Sequence, residues 1–139
     1  MIKQISVFVE NRSGALITIT EALSAAGVDM RALSIADTQD FGILRIIVND
    51  ADLAIKTLGE LNVITKVTDI IAVAVPDQPG GLSKILKILS DGGINIEYAY
   101  AFVSGSSDGA YVALRVNENE HAESLLRENG IREISEKDI

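Results

Sequence analysis

The chain has 139 residues, no cysteine, 4% aromatic residues and a formal net charge of −8. Residues 1–70 carry 6 basic and 9 acidic groups and residues 71–139 carry 6 and 11, so both halves would repel a phosphate backbone, and few rings are present to stack on bases. No run approaches the ~20 apolar residues of a membrane helix. The expectation is a cytoplasmic protein that engages neither nucleic acid nor membrane, with the acidity keeping it in solution.

In chain order, Gln4 to Val9 alternates, with Ile5, Val7 and Val9 on one face of a half-buried strand. The pattern breaks at Asn11-Arg12-Ser13-Gly14. From Ala15 the period becomes helical, with Leu16, Ile19, Leu23 and Ala26 on one stripe. Ser13 is the expected N-cap and Gly27 the left-handed stop. A strand runs next from Val28 to about Ala36, then a turn around Gln39-Asp40-Phe41-Gly42 and a third strand from Ile43 to Val48. Asp50 or Asp52 opens a second helix that turns Leu53, Leu58 and Leu61 inward. Val63 to Val67 is the fourth strand, and Thr68-Asp69 is the only interruption before the next.

The order then repeats. A strand from Ile71 to Val75 leads to a helix on Leu82, Ile85, Leu86 and Leu89. Strands at Ile94 to Val103 and Ala110 to Val116 come next. A helix on Ala122, Leu125 and Leu126 and a weak strand near Ile131 to Ile134 complete the copy. Val9-Glu10-Asn11-Arg12-Ser13-Gly14-Ala15-Leu16 returns as Val75-Pro76-Asp77-Gln78-Pro79-Gly80-Gly81-Leu82, at an offset of 66. The offset becomes 68 by Val48 and Val116, because the loop Ser104 to Gly109 is two residues longer than its partner near Asp37 to Phe41. Each copy reads βαββαβ, the ferredoxin-like split-βαβ unit: an α+β fold with an antiparallel sheet and both helices on one face. The expected repeats are residues 1–69 and 70–139, held at a fixed angle by a junction with almost no linker. Units of about 70 residues are small enough to favour burial against each other or a second chain. Ile94, Ile96, Tyr98, Tyr100 and Phe102 are expected on one strand face, with Ala99, Ala101 and Val103 making the other apolar too, which suggests burial on both sides.

The loops Asn11–Gly14 and Asp77–Gly81 are the best candidate sites. Each delivers a strand end to a helix N-terminus, where unpaired N–H groups and the helix dipole suit a carboxylate. Gly14, Gly80 and Gly81 let a ligand approach the main chain. Asn11 and Asp77 add oxygen acceptors for an ammonium, so one short segment offers both ends of a zwitterion their partners. The same residues would also serve merely to turn the chain and cap a helix.

Taken whole, these loops resemble the signature of the ACT domain, a family of small amino-acid-binding regulatory modules. The resemblance rests on the two loops above and on the downstream segments Ala25-Ala26-Gly27-Val28-Asp29-Met30 and Asp91-Gly92-Gly93-Ile94-Asn95-Ile96. It covers the whole chain as two tandem copies. It implies units paired side by side with an amino acid in the seam, and a possible regulated enzyme as partner; neither cofactor nor catalysis is expected, and a homodimer is expected because units this small favour pairing and the sheet faces read as apolar. In such a seam the loop of one unit faces the start of the second strand of the other. Carried over by position, Asn11, Arg12, Ser13, Gly14, Ala15 and Leu16 would face Asn95, in a polar, serine-binding style. Asp77, Gln78, Pro79, Gly80, Gly81 and Leu82 would face Asp29, where two carboxylates would hinder a third. The Asn11/Asn95 site therefore ranks first. Ser13 departs from the proline usual in this motif.

Other candidates are weaker. His121, the only histidine, lies among Glu118, Glu120 and Glu123 and reads as a solvated face, since transition-metal sites normally need several His or Cys ligands. Tyr98, Tyr100, Tyr111 and Phe102 read as packing residues rather than a ligand lid. Arg45 and Arg115 read as salt-bridged or snorkelling rather than anion-binding, and Glu133, Glu136 and Asp138 as an exposed edge. Two other functions compete with an amino-acid sensor: a ligand-free interaction or dimerisation module, and an acylphosphatase-like hydrolase. The hydrolase needs an arginine in a phosphate-cradling loop, which Arg12 could supply, but Gln78 is its counterpart and no nucleophile accompanies it.

Overall fold

A computed structural model describes residues 1–37, 40–103 and 109–139, with Val103 described by its backbone. Gln39 of the expected turn and Ser104 to Asp108 of the longer loop lie outside these residues. The elements are β1 (Ile2–Glu10), α1 (Ala15–Ala25), β2 (Met30–Asp37), β3 (Phe41–Val48), α2 (Ala51–Glu60), β4 (Thr65–Val75), α3 (Gly81–Asp91), β5 (Ile96–Val103), β6 (Ala110–Val116), α4 (Asn119–Glu128) and β7 (Glu133–Ile134), and a short 3-10 turn (Glu136–Asp138) ends the chain. The chain divides into two compact units, Lys3–Thr68 and Asp69–Ile139, and Met1–Ile2 groups with the latter.

Each unit has the ferredoxin-like βαββαβ order. In the first, β3 lies between β1 and β2, antiparallel to both, with Ile5 opposite Ile46 and Leu33 opposite Ile46. In the second, β6 lies between β4 and β5, and β7 pairs the other side of β4. Thr68-Asp69 does not interrupt the chain: β4 is one strand through both residues, because β-branched and aliphatic residues on either side outweigh a single aspartate.

The cores match position for position. Ile5, Val7, Ile19, Leu23 and Val28 of the first core stand 66 residues before Ile71, Val73, Ile85, Leu89 and Ile94 of the second. Leu44, Ile46, Val48, Ala54 and Leu58 stand 68 before Val112, Leu114, Val116, Ala122 and Leu126. The ladder pairs Asp37 with Gly42 and Val103 with Ala110, so the two additional residues fall in the second hairpin connection.

The strand β5 departs from the sequence reading. The register shifts between Ile96 and Tyr98, as it does between Met30 and Ala32. A bulge reverses the inward and outward sense of the residues beyond it. Ile94 and Ile96 therefore join the helix-side core. Tyr98, Tyr100 and Phe102 stand opposite Arg115, Ala113 and Tyr111 on the other face, where Phe102 meets Tyr111 edge-on at 5.5 Å. Ala99 and Ala101 are exposed, so this strand is not apolar and buried on both sides.

Helix starts and stops obey local chemistry. Asp50, not Asp52, caps α2: its Oδ1 accepts the Leu53 N–H at 3.0 Å. Ser13 does not cap α1. The cap is Gly14 at φ 85°, with no side-chain hydrogen bond, and Gly80 repeats it at φ 83° before α3. The chain reverses so tightly at these points that only a residue free to adopt positive φ is unstrained. Gly27 ends α1 as read, at φ 79°.

The next residue distinguishes the units. Ala15 is buried at the start of α1. A Cβ at Gly81 would run into the backbone carbonyl oxygen of Pro76 and approach Val75 Cγ1 at 3.3 Å. Gly81→Ala is therefore expected to destabilise the protein by about 1–3 kcal/mol, the usual cost of overpacking, as urea unfolding would measure.

Candidate functional site

Both strand-to-helix loops are built from the same three main-chain bonds. In the first, Arg12 N–H donates to Glu10 O (2.9 Å), Ala15 N–H to Arg12 O (3.3 Å) and Thr18 N–H to Gly14 O (3.2 Å). In the second, Gln78 N–H donates to Pro76 O (2.8 Å), Gly81 N–H to Gln78 O (3.1 Å) and Lys84 N–H to Gly80 O (3.1 Å). The amides left over are matched as well. Those of Ser13, Gly14, Leu16 and Ile17 take no partner among the described residues. In the second loop the corresponding set is Gly80, Leu82 and Ser83, one fewer because Pro79 has no N–H.

The first loop is tied down at both ends. Asn11 N–H donates to Asp40 O at 3.0 Å, fixing it to the start of β3. Arg12 Nε donates to Glu10 Oε2 at 2.7 Å, with both side chains mostly exposed. Thr18 Oγ1 donates to Gly14 O at 2.9 Å. Beside the loop lies a cleft of about 180 Å³ lined by Val9, Glu10, Asn11, Arg12, Leu16, Ile35, Asp37 and Gly42. Val9, Leu16 and Ile35 make its apolar surface, Asn11 and Arg12 are polar, and Glu10 and Asp37 supply carboxylates. Gly42 keeps it open. A Cβ there would stand 3.4 Å from Ile35 Cγ2 and 3.5 Å from Ala36 O, ordinary contacts with atoms at the cleft wall. Sequence reading named Asn11, Arg12 and Leu16 but not Val9, Glu10, Ile35, Asp37 or Gly42. Val9 and Glu10 lead directly into the loop from β1, whereas Ile35 and Asp37 of β2 and Gly42 of β3 are brought to it only by the strand register.

The remaining candidates stand elsewhere. Asp29 and Asn95 begin the second strand of each unit, held in one way. Asn49 Oδ1 accepts Asp29 N–H at 2.9 Å and Asn49 N–H donates to Asp29 O at 3.1 Å. Asn117 does the same for Asn95 at 3.0 and 3.2 Å. The Asp29 carboxylate accepts Arg31 Nη1 at 2.9 Å and stays largely exposed. An 11-residue helix separates each of these residues from the loop of its own unit, roughly 16 Å along the axis. Neither forms one site with that loop. Asp77, Gln78, Pro79 and Gly80 are exposed, Leu82 is 38% exposed, and Gly81 is buried.

Groups outside the loops have structural tasks. His121 Nε2 lies 3.0 Å from Gly92 O, bridging α4 to the end of α3, and no metal-ligating cluster occurs among the described residues. Arg115 pairs with Glu97 at 3.1 Å. The Glu123 carboxyl titrates above its usual range because it shares a hydrogen bond with Glu133 and is partly desolvated. Asp138 titrates below its usual range because it accepts the Ser135 amide and hydroxyl.

A family model described as an ACT domain pair matches residues 1–139. The crystal structure of protein BT0572 from Bacteroides thetaiotaomicron is 37% identical over 99% of this chain and 94% of that one, with a TM-score of 0.92. The regulatory subunit of aspartate kinase from Thermus thermophilus is 18% identical over 90% of this chain and 88% of that one, with a TM-score of 0.62. The Thermus flavus subunit is 19% identical over the same shares, at 0.61. These two likenesses are of fold. No curated protein matches the sequence.

Pro79 occupies the position of Ser13 under the same hydrogen bonds, and the Ser13 amide is unused. Ser13→Pro should raise stability by about 0.4–1 kcal/mol by restricting the unfolded chain, measured by thermal unfolding. A loss of stability would show that the two loops differ in backbone shape.

Proposed function

The chain belongs to the ACT family as a pair of ACT domains, and on that premise we propose that it is a non-catalytic regulatory protein that binds a small amino acid at the Asn11–Leu16 loop. The observation that carries this reading is the row of free amides at Ser13, Gly14, Leu16 and Ile17, of which Leu16 lines the cleft of about 180 Å³. A carboxylate would take those amides with the help of the α1 dipole. The ammonium would turn to the Asn11 side-chain oxygen and the Asp37 carboxylate. Val9, Leu16 and Ile35 leave room for a small side chain only. Ala15, buried behind the loop, fixes its backbone. The hydrolase reading gains no support from the second loop, where Gln78 stands at the position of Arg12.

The second loop, Asp77 to Leu82, is a weaker site of the same kind. It has one amide fewer, and the Asp77 carboxylate stands at its start to repel an anion. Asp29 and Asn95, each remote from its own unit's loop, are assigned to ligands carried by another copy of the chain, in the homodimer that units this small favour. The message would pass to a partner enzyme in the cytoplasm.

Calorimetry against the twenty amino acids tests this directly. A small polar or apolar amino acid should bind the wild-type protein. Gly42→Ala should weaken that binding by filling the cleft while the protein stays folded. Ser13→Pro removes one donor to the carboxylate, and a charge-assisted bond of about 1.5–3 kcal/mol corresponds to a loss of roughly tenfold or more. A uniform absence of heat from folded protein would defeat the proposal, as would binding indifferent to both substitutions.

A further inference from the structure

The geometry points to Asn129-Gly130, at the end of α4, as a site of spontaneous covalent modification. The Asn129 side chain is lost there as ammonia through a cyclic imide, at a rate set by the last turn of the helix. The reaction needs an asparagine amide next to a main-chain nitrogen that no following side chain shields. Of the seven asparagines in the chain, only Asn129 precedes a glycine.

The fold itself brings this pair together. The chain leaves α4 through φ 70° at Gly130, a conformation that favours glycine. Just before it, Asn129 closes the helix. Its Nδ2 donates to Leu125 O at 2.8 Å, and its N–H is shared between Leu125 O and Leu126 O, both at 3.2 Å, so carbonyls left over at the helix end are satisfied. Each residue answers a local need, and side by side they form a labile dipeptide. The first unit makes the same turn with Leu61 as the cap and Asn62 at φ 57°. Leu61 has no amide to lose. Asn62 is followed by Val63, whose branched Cβ crowds the nitrogen that would have to attack.

Asn129 and Gly130 are exposed, and a Cβ built on Gly130 would meet nothing within 4 Å, so water and base reach the site from an open side. Base takes the proton of the Gly130 nitrogen, and that nitrogen forms a bond to Asn129 Cγ. The Cγ–Nδ2 bond breaks, and Nδ2 leaves as ammonia with a proton from water. Water then opens the imide at either carbonyl. One opening gives aspartate, and the other gives isoaspartate, with the main chain rerouted through the side chain. Two hydrogen bonds oppose ring closure: Gly130 N–H donates to Arg127 O at 3.1 Å, and Asn129 Nδ2 to Leu125 O. Both belong to the last turn of α4, which must fray first.

The products alter the fold. Either one places a carboxylate at the negative end of the α4 dipole, where Nδ2 had donated to Leu125 O. Isoaspartate also lengthens the main chain by a methylene. Only Gly130, Ile131 and Arg132 connect the cap to β7. Within that stretch Ile131 packs against the core and Arg132 O accepts the Ala74 N–H at 3.0 Å. The modification therefore loosens β7 from β4 as the protein ages.

Peptide mapping by mass spectrometry, after the full chain is held at mildly alkaline pH, tests the inference, with the chain unfolded in guanidinium chloride as the reference. Conversion should accumulate at Asn129 in the folded protein and rise with pH, because the attacking nitrogen must first lose its proton. It should run about tenfold or more slower than in the unfolded chain, the effect of two hydrogen bonds of about 1 kcal/mol each. Gly130→Asn installs the residue the first unit carries at that position, keeps the left-handed turn and should slow conversion of Asn129 about tenfold or more. Asn129→Asp reproduces one product and should unfold at a lower temperature. The inference is overturned if Asn129 stays intact in the folded chain, whether or not it converts in guanidinium chloride, or if another asparagine converts first. It is equally overturned if folded and unfolded chains convert at one rate, or if Gly130→Asn converts as fast as the wild type. An Asn129→Asp variant as stable as the wild type would overturn the loosening of β7.

Discussion

The reversal of the chain at a glycine with positive φ, Gly14 and again Gly80, is the constraint on which the rest of the structure depends. It turns a strand into a helix within four residues in the first unit and five in the second. It needs no side-chain cap, so the amides a serine or aspartate would have satisfied stay available. Ser13 supplies an amide rather than a capping oxygen. The main chain of the loop thereby keeps the unpaired donors that the proposed carboxylate site requires.

The two copies show how one frame carries two chemistries. The main-chain bonds of the loops and the core positions coincide. Among the residues that differ, a few have large effects. Ser13 offers an N–H where Pro79 has none. Ala15 has room for its methyl where Gly81 lies against Pro76 O. Phe41 presents a ring where Gly109 would meet Val75 O if it carried a Cβ. In the second unit the backbone lies too close to Gly81 and Gly109 to admit a Cβ without a shift.

Much of this was legible in the sequence. The offset of 66 residues, its growth to 68, the βαββαβ order and the loop motifs arise from apolar period and glycine placement. The core partners could be matched before any coordinates. The rest was non-local. A bulge after Ile96 cannot be seen in an alternating string, yet it separates Ile96 from Tyr98 across the sheet. Asp37, Ile35 and Gly42 reach the Asn11 loop through the pairing of β1, β2 and β3. Asn11, Arg12 and Leu16 were accessible because they are neighbours in sequence.

The clasps made by Asn49 and Asn117 grip only the peptide group of residue 29 or 95. The clasp itself therefore does not use the side chain at that point. After duplication the two positions were free to drift apart in charge, and an aspartate and an amide now occupy them. Selectivity could be retuned there as one changes a key's teeth without recasting its shaft.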